Sequence, residues 1–125
     1  MNCNRILYVE DNVVFAMFNA DFFRACGLVV IHASSAEEAM AILRTSPETL
    51  AALVTDVQLG RGPTGFELAR LARLSNPDLA VMFTSGSNRE RHAVEGVAGS
   101  VFIAKPYHPL DVVEALLSIT ERQSA

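Results

Sequence analysis

Five short β-rich runs, at residues 5–9, 28–32, 51–55, 79–84 and 100–103, alternate with helix-length amphipathic stretches, and this alternation most restricts what the chain can fold into. Strands separated by helices join as βα units, so the pattern predicts an α/β architecture with helices packed on both faces of a parallel sheet. The helix starts are marked. Ser35 with Glu38, Thr64 with Glu67 and Ser87 with Glu90 have the spacing of a reciprocal capping box, and Pro109 suits the first position of a last helix. Gly27 follows the first helix as a left-handed cap would. In that helix Phe15, Phe18, Phe22 and Cys26 are spaced to face the sheet, and in the last helix Val113, Leu116 and Leu117 are expected to do the same. No linker or repeat interrupts the series. With 125 residues, half of them hydrophobic, residues 1–125 read as a single domain with an ample core.

Composition narrows the function classes. The formal net charge is −4 and the basic residues are scattered, which argues against nucleic acid as a direct partner. No apolar stretch reaches membrane-spanning length and no signal pattern opens the chain, so a cytoplasmic protein without a membrane partner is expected. Cys3 and Cys26 are too few for a disulfide framework. Cys26 is expected to pack as a small apolar residue near a helix end, and Cys3 to be mildly exposed. His32, His92 and His108 have no metal-ligand spacing and read as surface or capping residues.

The chemistry-bearing residues gather at strand ends. Glu10 and Asp11 follow the first run and Asp56 follows the third, so in a parallel sheet all three project from the carboxyl edge, where open α/β sheets bind ligands. Unit charges ~4 Å apart repel by roughly 4 kcal/mol at an effective dielectric of about 20. A divalent cation removes that cost. Mg²⁺ takes one or two protein carboxylates and keeps room for phosphate oxygens, which leaves a third acid to act as nucleophile. Thr84 after the fourth run and Lys105 after the fifth add a hydroxyl and an ammonium, both of which bind phosphoryl oxygens.

Glu10-Asp11, Asp56, Thr84-Ser85-Gly86 and Lys105-Pro106-Tyr107, in this order and at these intervals, resemble the receiver domain of bacterial two-component response regulators, and the resemblance spans essentially the whole chain. It implies a doubly wound, flavodoxin-like (CheY-like) five-stranded parallel sheet of strand order 2-1-3-4-5. It also implies that Asp56 is the phosphoacceptor and that Thr84 and Lys105 contact the phosphoryl group. Mg²⁺ would be held by Asp11, Asp56 and the backbone carbonyl of Gln58, with Glu10 contributing through water. Such a protein is a signalling receiver and not an enzyme with a separate substrate, although it catalyses its own phosphorylation and dephosphorylation. Its implied partners are a sensor histidine kinase or histidine phosphotransfer protein and a downstream protein target. In the switch that the resemblance implies, Thr84 swings toward the phosphate while Phe102 turns inward to fill the vacated space. Val13, Val14 and Met17, with Pro106 and Tyr107, would form the patch that docks the kinase.

Three features depart from the common receiver pattern. The loop after Asp56, Gln58-Leu59-Gly60-Arg61-Gly62-Pro63-Thr64-Gly65, is one residue longer than usual before its last glycine, as in receivers of hybrid kinases and stand-alone regulators. Glu10 stands where an aspartate is commoner. The chain stops soon after the last helix, at Arg122-Gln123-Ser124-Ala125, so no output domain is expected in it. A flavin-binding module would call for a loop rich in Ser, Thr and Gly after the first strand, and a haloacid-dehalogenase-type phosphatase for an Asp-x-Asp arrangement there; Glu10-Asp11-Asn12 is neither. The remaining alternative is a degenerate receiver that binds partners without being phosphorylated.

Overall fold

The computed structural model describes residues 4–45, 50–87 and 89–124, with the backbone alone at Arg89 and residues 120–124; Cys3 lies outside the described residues. The alternation is realised in full: β1 (Arg5–Val9), α1 (Val13–Ala25), β2 (Val29–Ala33), α2 (Ala36–Thr45), β3 (Ala52–Asp56), α3 (Gly65–Ser75), β4 (Ala80–Ser85), α4 (Arg89–Glu95), β5 (Val101–Ala104) and α5 (Pro109–Ser124). The strands form one parallel sheet of order β2-β1-β3-β4-β5. Two of the three interior strands, β3 and β4, are buried at every residue, as a parallel sheet covered on two faces requires.

Alternating side chains divide the core in two. Leu7, Val9, Leu53, Val81 and Phe83 pack with Phe66, Leu68 and Ala69 of α3 and with Ala36 and Ala39 of α2, whereas Ile6, Tyr8, Val54 and Met82 pack with Ala16, Ala20 and Phe23 of α1 and Val112 and Leu116 of α5. Burying one large side chain such as Phe23 or Phe66 stabilises the fold by roughly 1.5–3 kcal/mol. Because the strand order reverses between β1 and β3, the connections that leave their carboxyl ends go to opposite faces, into α1 on one and α3 on the other, and a crevice is left there.

Several local expectations shift. β2, β3, β4 and β5 each run one residue beyond the ends read from the sequence, so Asp56 and Ser85 are the last residues of their strands. The buried stripe of α1 is Ala16, Asn19, Ala20 and Phe23, and not Phe15, Phe18, Phe22 and Cys26. Tyr8 fills the space beneath the helix: Phe23 packs edge-on against it at 5.2 Å, Asn19 Nδ2 donates to its hydroxyl at 2.9 Å, and the other residues of the stripe, Ala16 and Ala20, are small. The helix is thereby rotated; Phe18 becomes 63% exposed and Cys26, its C-cap, is an exposed free thiol. In α5 the buried residues include Val112, Val113, Leu116 and Ile119, while Leu117 is exposed.

The Thr64–Glu67 capping box forms in both directions, and Gly27 has the positive φ of a left-handed cap. At α2 only half the expected box is present: Ser35 Oγ accepts the Glu38 N–H at 3.1 Å, but the Glu38 carboxylate reaches back to the Ser34 N–H instead. α4 begins at Arg89, two residues after Ser87, and the intervening Asn88 lies outside the described residues.

Candidate functional site

β1 ends on Val9, and Glu10 continues its line far enough for its N–H to donate to Ala33 O at 3.0 Å. The Glu10 side chain is almost wholly buried, with Oε2 accepting the Asn12 N–H at 3.1 Å and Oε1 accepting Lys105 Nζ at 2.9 Å. Lys105 also donates to Asp56 Oδ2 at 3.0 Å. One ammonium therefore bridges the acids at the ends of two strands. Asp11 is exposed, and Asn12 caps α1 by accepting the Phe15 N–H at 3.0 Å. Carboxylate oxygens of Glu10, Asp11 and Asp56 all lie within 4.8 Å of one another.

The backbone after Asp56 is held on both sides. Val57 N–H donates to Thr84 O at 3.1 Å, Gly65 N–H donates to Val57 O at 2.8 Å, and Lys105 N–H donates to Ser85 O at 2.8 Å. These bonds turn the loop of Gln58, Leu59, Gly60 and Thr64 along one wall of an open pocket of about 680 Å³; Ser85, Gly86 and Arg91 line its other wall, with Asp11, Asp56 and Lys105 also lining it.

The charges perturb one another. Burial pushes the Asp56 carboxyl up to about 6; Lys105 pulls against this, and Glu10 and Asp11 add to it. For Lys105 burial acts to lower the value, but hydrogen bonds and attraction to Glu10 and Asp56 outweigh it and the ammonium is held above its ordinary range. Three carboxylates around one ammonium leave two negative charges, which one divalent cation balances. The acids and the Gln58 loop thus suit Mg²⁺, which prefers oxygen ligands.

The geometry separates the two hydroxyls. Thr84 is the register partner of Asp56 and of Ile103, on the face shared with Met82, and its buried Oγ1 has no hydrogen-bond partner among the described residues. Ser85, one residue on, is the residue that lines the pocket. Phe102 pairs with Phe83 and packs on the face toward α3, which is Ser85's face and not Thr84's. Thr84 and Phe102 are therefore not neighbours across one side of the sheet. The sequence signal was present in Ser85-Gly86, but a strand end misplaced by one residue exchanges the two faces.

The residues expected to dock the kinase are exposed as a group: Val13, Val14 at 79%, Met17 and Pro106, joined by Phe18 and Leu110, which the sequence reading left out of the patch. Tyr107 is only half exposed. Its ring meets Phe15 edge-on at 5.6 Å and its hydroxyl lies 3.4 Å from Tyr8 Oη and from Asn19 Nδ2, so it anchors the patch from beneath. Burial, with Tyr8 beside it, pushes the Tyr107 hydroxyl far above the usual tyrosine range. Among the histidines, His108 caps α5 by accepting the Leu110 N–H, and His32 bonds the Glu10 carbonyl. His92 is half-buried, its ring against Phe83 and Phe102.

The model of the response regulator receiver domain matches residues 6–117. The chain belongs to this family. It is 30% identical over 120 residues to nodulation protein W of Bradyrhizobium diazoefficiens, covering 94% of this chain and 51% of that protein, so the chain spans about half the length of this curated relative. A response regulator receiver protein from Sinorhizobium medicae is 25% identical, with a TM-score of 0.86 and 92% of each chain covered. The receiver domain of the hybrid histidine kinase CckA is 30% identical, with a TM-score of 0.79 over 92% of this chain and 97% of that one. Within the receiver, β1, β3 and β5 deliver the acids and the lysine to a single carboxyl edge, and β4 delivers Ser85. Among the described residues no helix is long and apolar enough to cross a membrane.

Proposed function

We propose that this receiver takes a phosphoryl group onto Asp56 from the phosphohistidine of a sensor histidine kinase or histidine phosphotransfer protein. The observation that carries this reading is Lys105 Nζ bridging Glu10 and Asp56 inside a pocket where three carboxylates converge. An Asp56 carboxylate oxygen attacks phosphorus, the phosphorus–nitrogen bond breaks, and the imidazole leaves and takes up a proton. The loose transition state asks for positioning and charge neutralisation and not for a strong base.

Asp11, Asp56 and the Gln58 carbonyl would hold Mg²⁺, with Glu10 acting through water; when bound, the ion neutralises the acids and the phosphoryl oxygens. Lys105 is positioned by Glu10 to follow the charge that Asp56 passes to the phosphoryl group. The Ser85 hydroxyl, in place of Thr84, meets a phosphoryl oxygen and moves with Phe102 to alter the α4–β5–α5 surface, which a downstream protein reads. Val13, Val14, Met17 and Phe18, with Pro106 and Tyr107, dock the donor. The exposed Cys26 thiol suits work in the reducing cytoplasm.

Incubation with Mg²⁺ and acetyl phosphate, followed by intact mass measurement, tests the reading. A gain of one phosphoryl group, lost in Asp56→Asn, is the expected result. No gain would favour a receiver that binds partners without phosphorylation.

A further inference from the structure

Arg91 lines the same pocket as Asp56 and Lys105, yet none of the chemistry above uses it. Its guanidinium carbon lies 5.5 Å from the centre of the Phe66 ring, a ring wholly buried at the start of α3. Stacking of this kind restrains the side chain beside the pocket without consuming its N–H donors. Among the described residues its ion-pair partner is not one of the three pocket acids but Glu95, one turn along α4, whose Oε2 accepts from Nε at 2.6 Å.

Glu95 has a second cation. Arg70 Nη2, reaching over from α3, lies 3.4 Å from Glu95 Oε1 and donates at 3.4 Å to the Glu95 carbonyl. If Arg91 left, Glu95 would still be paired. The Arg91–Glu95 bond joins side chains that are 45% and 32% exposed, and solvated pairs one helical turn apart contribute little. A phosphoryl group offers three acceptor oxygens and about two negative charges, the partner that a planar guanidinium fork fits best.

We propose that Arg91 is a ligand of the phosphoryl group: once Asp56 is phosphorylated, Arg91 exchanges Glu95 for a phosphoryl oxygen, leaves Glu95 to Arg70, and draws α4 toward the pocket. The proposal rests on the phosphoacceptor reading above. It gives α4 two charge-defined positions, one set by Glu95 and one by the phosphoryl group, which is what a switch biased by phosphorylation needs.

Beryllium trifluoride supplied with Mg²⁺ serves as a tetrahedral phosphoryl mimic, and its affinity for the full chain is the readout. Arg91→Gln is expected to weaken fluoroberyllate binding at least tenfold while Mg²⁺ alone binds as well as before or better, since a cation beside the pocket has gone. Glu95→Gln is expected to strengthen fluoroberyllate binding severalfold, because the competing carboxylate is neutral. If the Arg91–Glu95 pair only held α4 in shape, both substitutions would shift the affinity in the same direction, and that result overturns the proposal. Unchanged fluoroberyllate binding by Arg91→Gln also overturns it while leaving the phosphoacceptor reading intact. If the unsubstituted protein bound no fluoroberyllate, both would fall.

Discussion

Gly65 lies against Asp56: the space that a Cβ on Gly65 would need is occupied by the Asp56 carbonyl oxygen. The two residues are drawn together by the bond from Gly65 N–H to Val57 O, so α3 starts directly against the end of β3. The geometry of the Asp56 backbone therefore depends on the absence of a side chain nine residues further on.

Gly65→Ala should push the Asp56 and Val57 backbone aside, since the obstructing atoms are main chain and have little freedom to yield. Overpacking of this kind costs ~1–3 kcal/mol, so the melting temperature should fall by several degrees and labelling of Asp56 by acetyl phosphate should slow. A variant with unchanged melting and labelling would mean that the loop relaxes freely.

The Asp56 carboxyl makes metal-free stability depend on pH. Its folded value, about 6, lies above the ordinary 3.8, chiefly through burial, so the folded protein holds this proton more tightly than the unfolded chain. The resulting stabilisation is complete below 3.8 and is lost as pH rises through 6, a difference of roughly 3 kcal/mol. Asp56→Asn removes the titration. Without Mg²⁺ the variant should be the more stable protein at pH 8, and its advantage should vanish near pH 4, as denaturant melts at the two pH values would reveal. Mg²⁺ affinity of the unsubstituted protein should decline about tenfold per pH unit below 6, because proton and metal compete for one carboxylate.

The fold was legible because parallel strands buried on both faces read as apolar runs, and because acids at the end of such runs can only emerge at one edge. Asp11, Asp56 and Lys105 needed no finer reading, since each sits at a strand end where a shift of one residue still leaves it at the crevice. Thr84 and Ser85 were not separable in that way. Both are small hydroxyl residues, and only the register of β4 against β3 and β5 decides which faces the pocket. The buried stripe of α1 was hidden for a different reason. Phe15, Phe18, Phe22 and Phe23 offer two competing apolar faces, and the choice was made by Tyr8, Asn19 and Tyr107, whose shared hydrogen bonds link residues far apart in the chain.

Thr84 and Ser85 yield opposite expectations. Ser85→Ala should slow labelling by acetyl phosphate roughly tenfold or more, the loss of ~1.4 kcal/mol of transition-state stabilisation, with little change in melting. Thr84→Val replaces a buried hydroxyl that lacks a partner among the described residues by a methyl group of similar shape, so stability should hold or rise and labelling should be unaffected. If Thr84→Val alone slowed labelling, the pocket hydroxyl would be Thr84 after all.

The docking proposal for the exposed flank of α1 predicts that large and small donors respond differently to its substitution. Val14, Met17 and Phe18 present apolar side chains to solvent next to the phosphorylation edge, and Phe15 carries this face inward, its ring 5.4 Å from Lys105 Nζ. A contiguous exposed apolar patch on a helix normally marks a partner surface. On the docking proposal, a phosphohistidine carried by a partner protein is seated against that surface before its phosphorus reaches Asp56, whereas acetyl phosphate diffuses into the open pocket alone. Val14→Lys or Met17→Glu should therefore slow phosphotransfer from the cognate kinase at least tenfold, ~1.4 kcal/mol of barrier, and leave acetyl phosphate labelling near normal. Neither change touches the buried stripe of Ala16, Asn19, Ala20 and Phe23, so melting should move little. The comparison of the two donors on one variant is the decisive measurement: if both rates fell together, the substitution would have disturbed Lys105 through Phe15, and if neither fell, the donor would dock elsewhere.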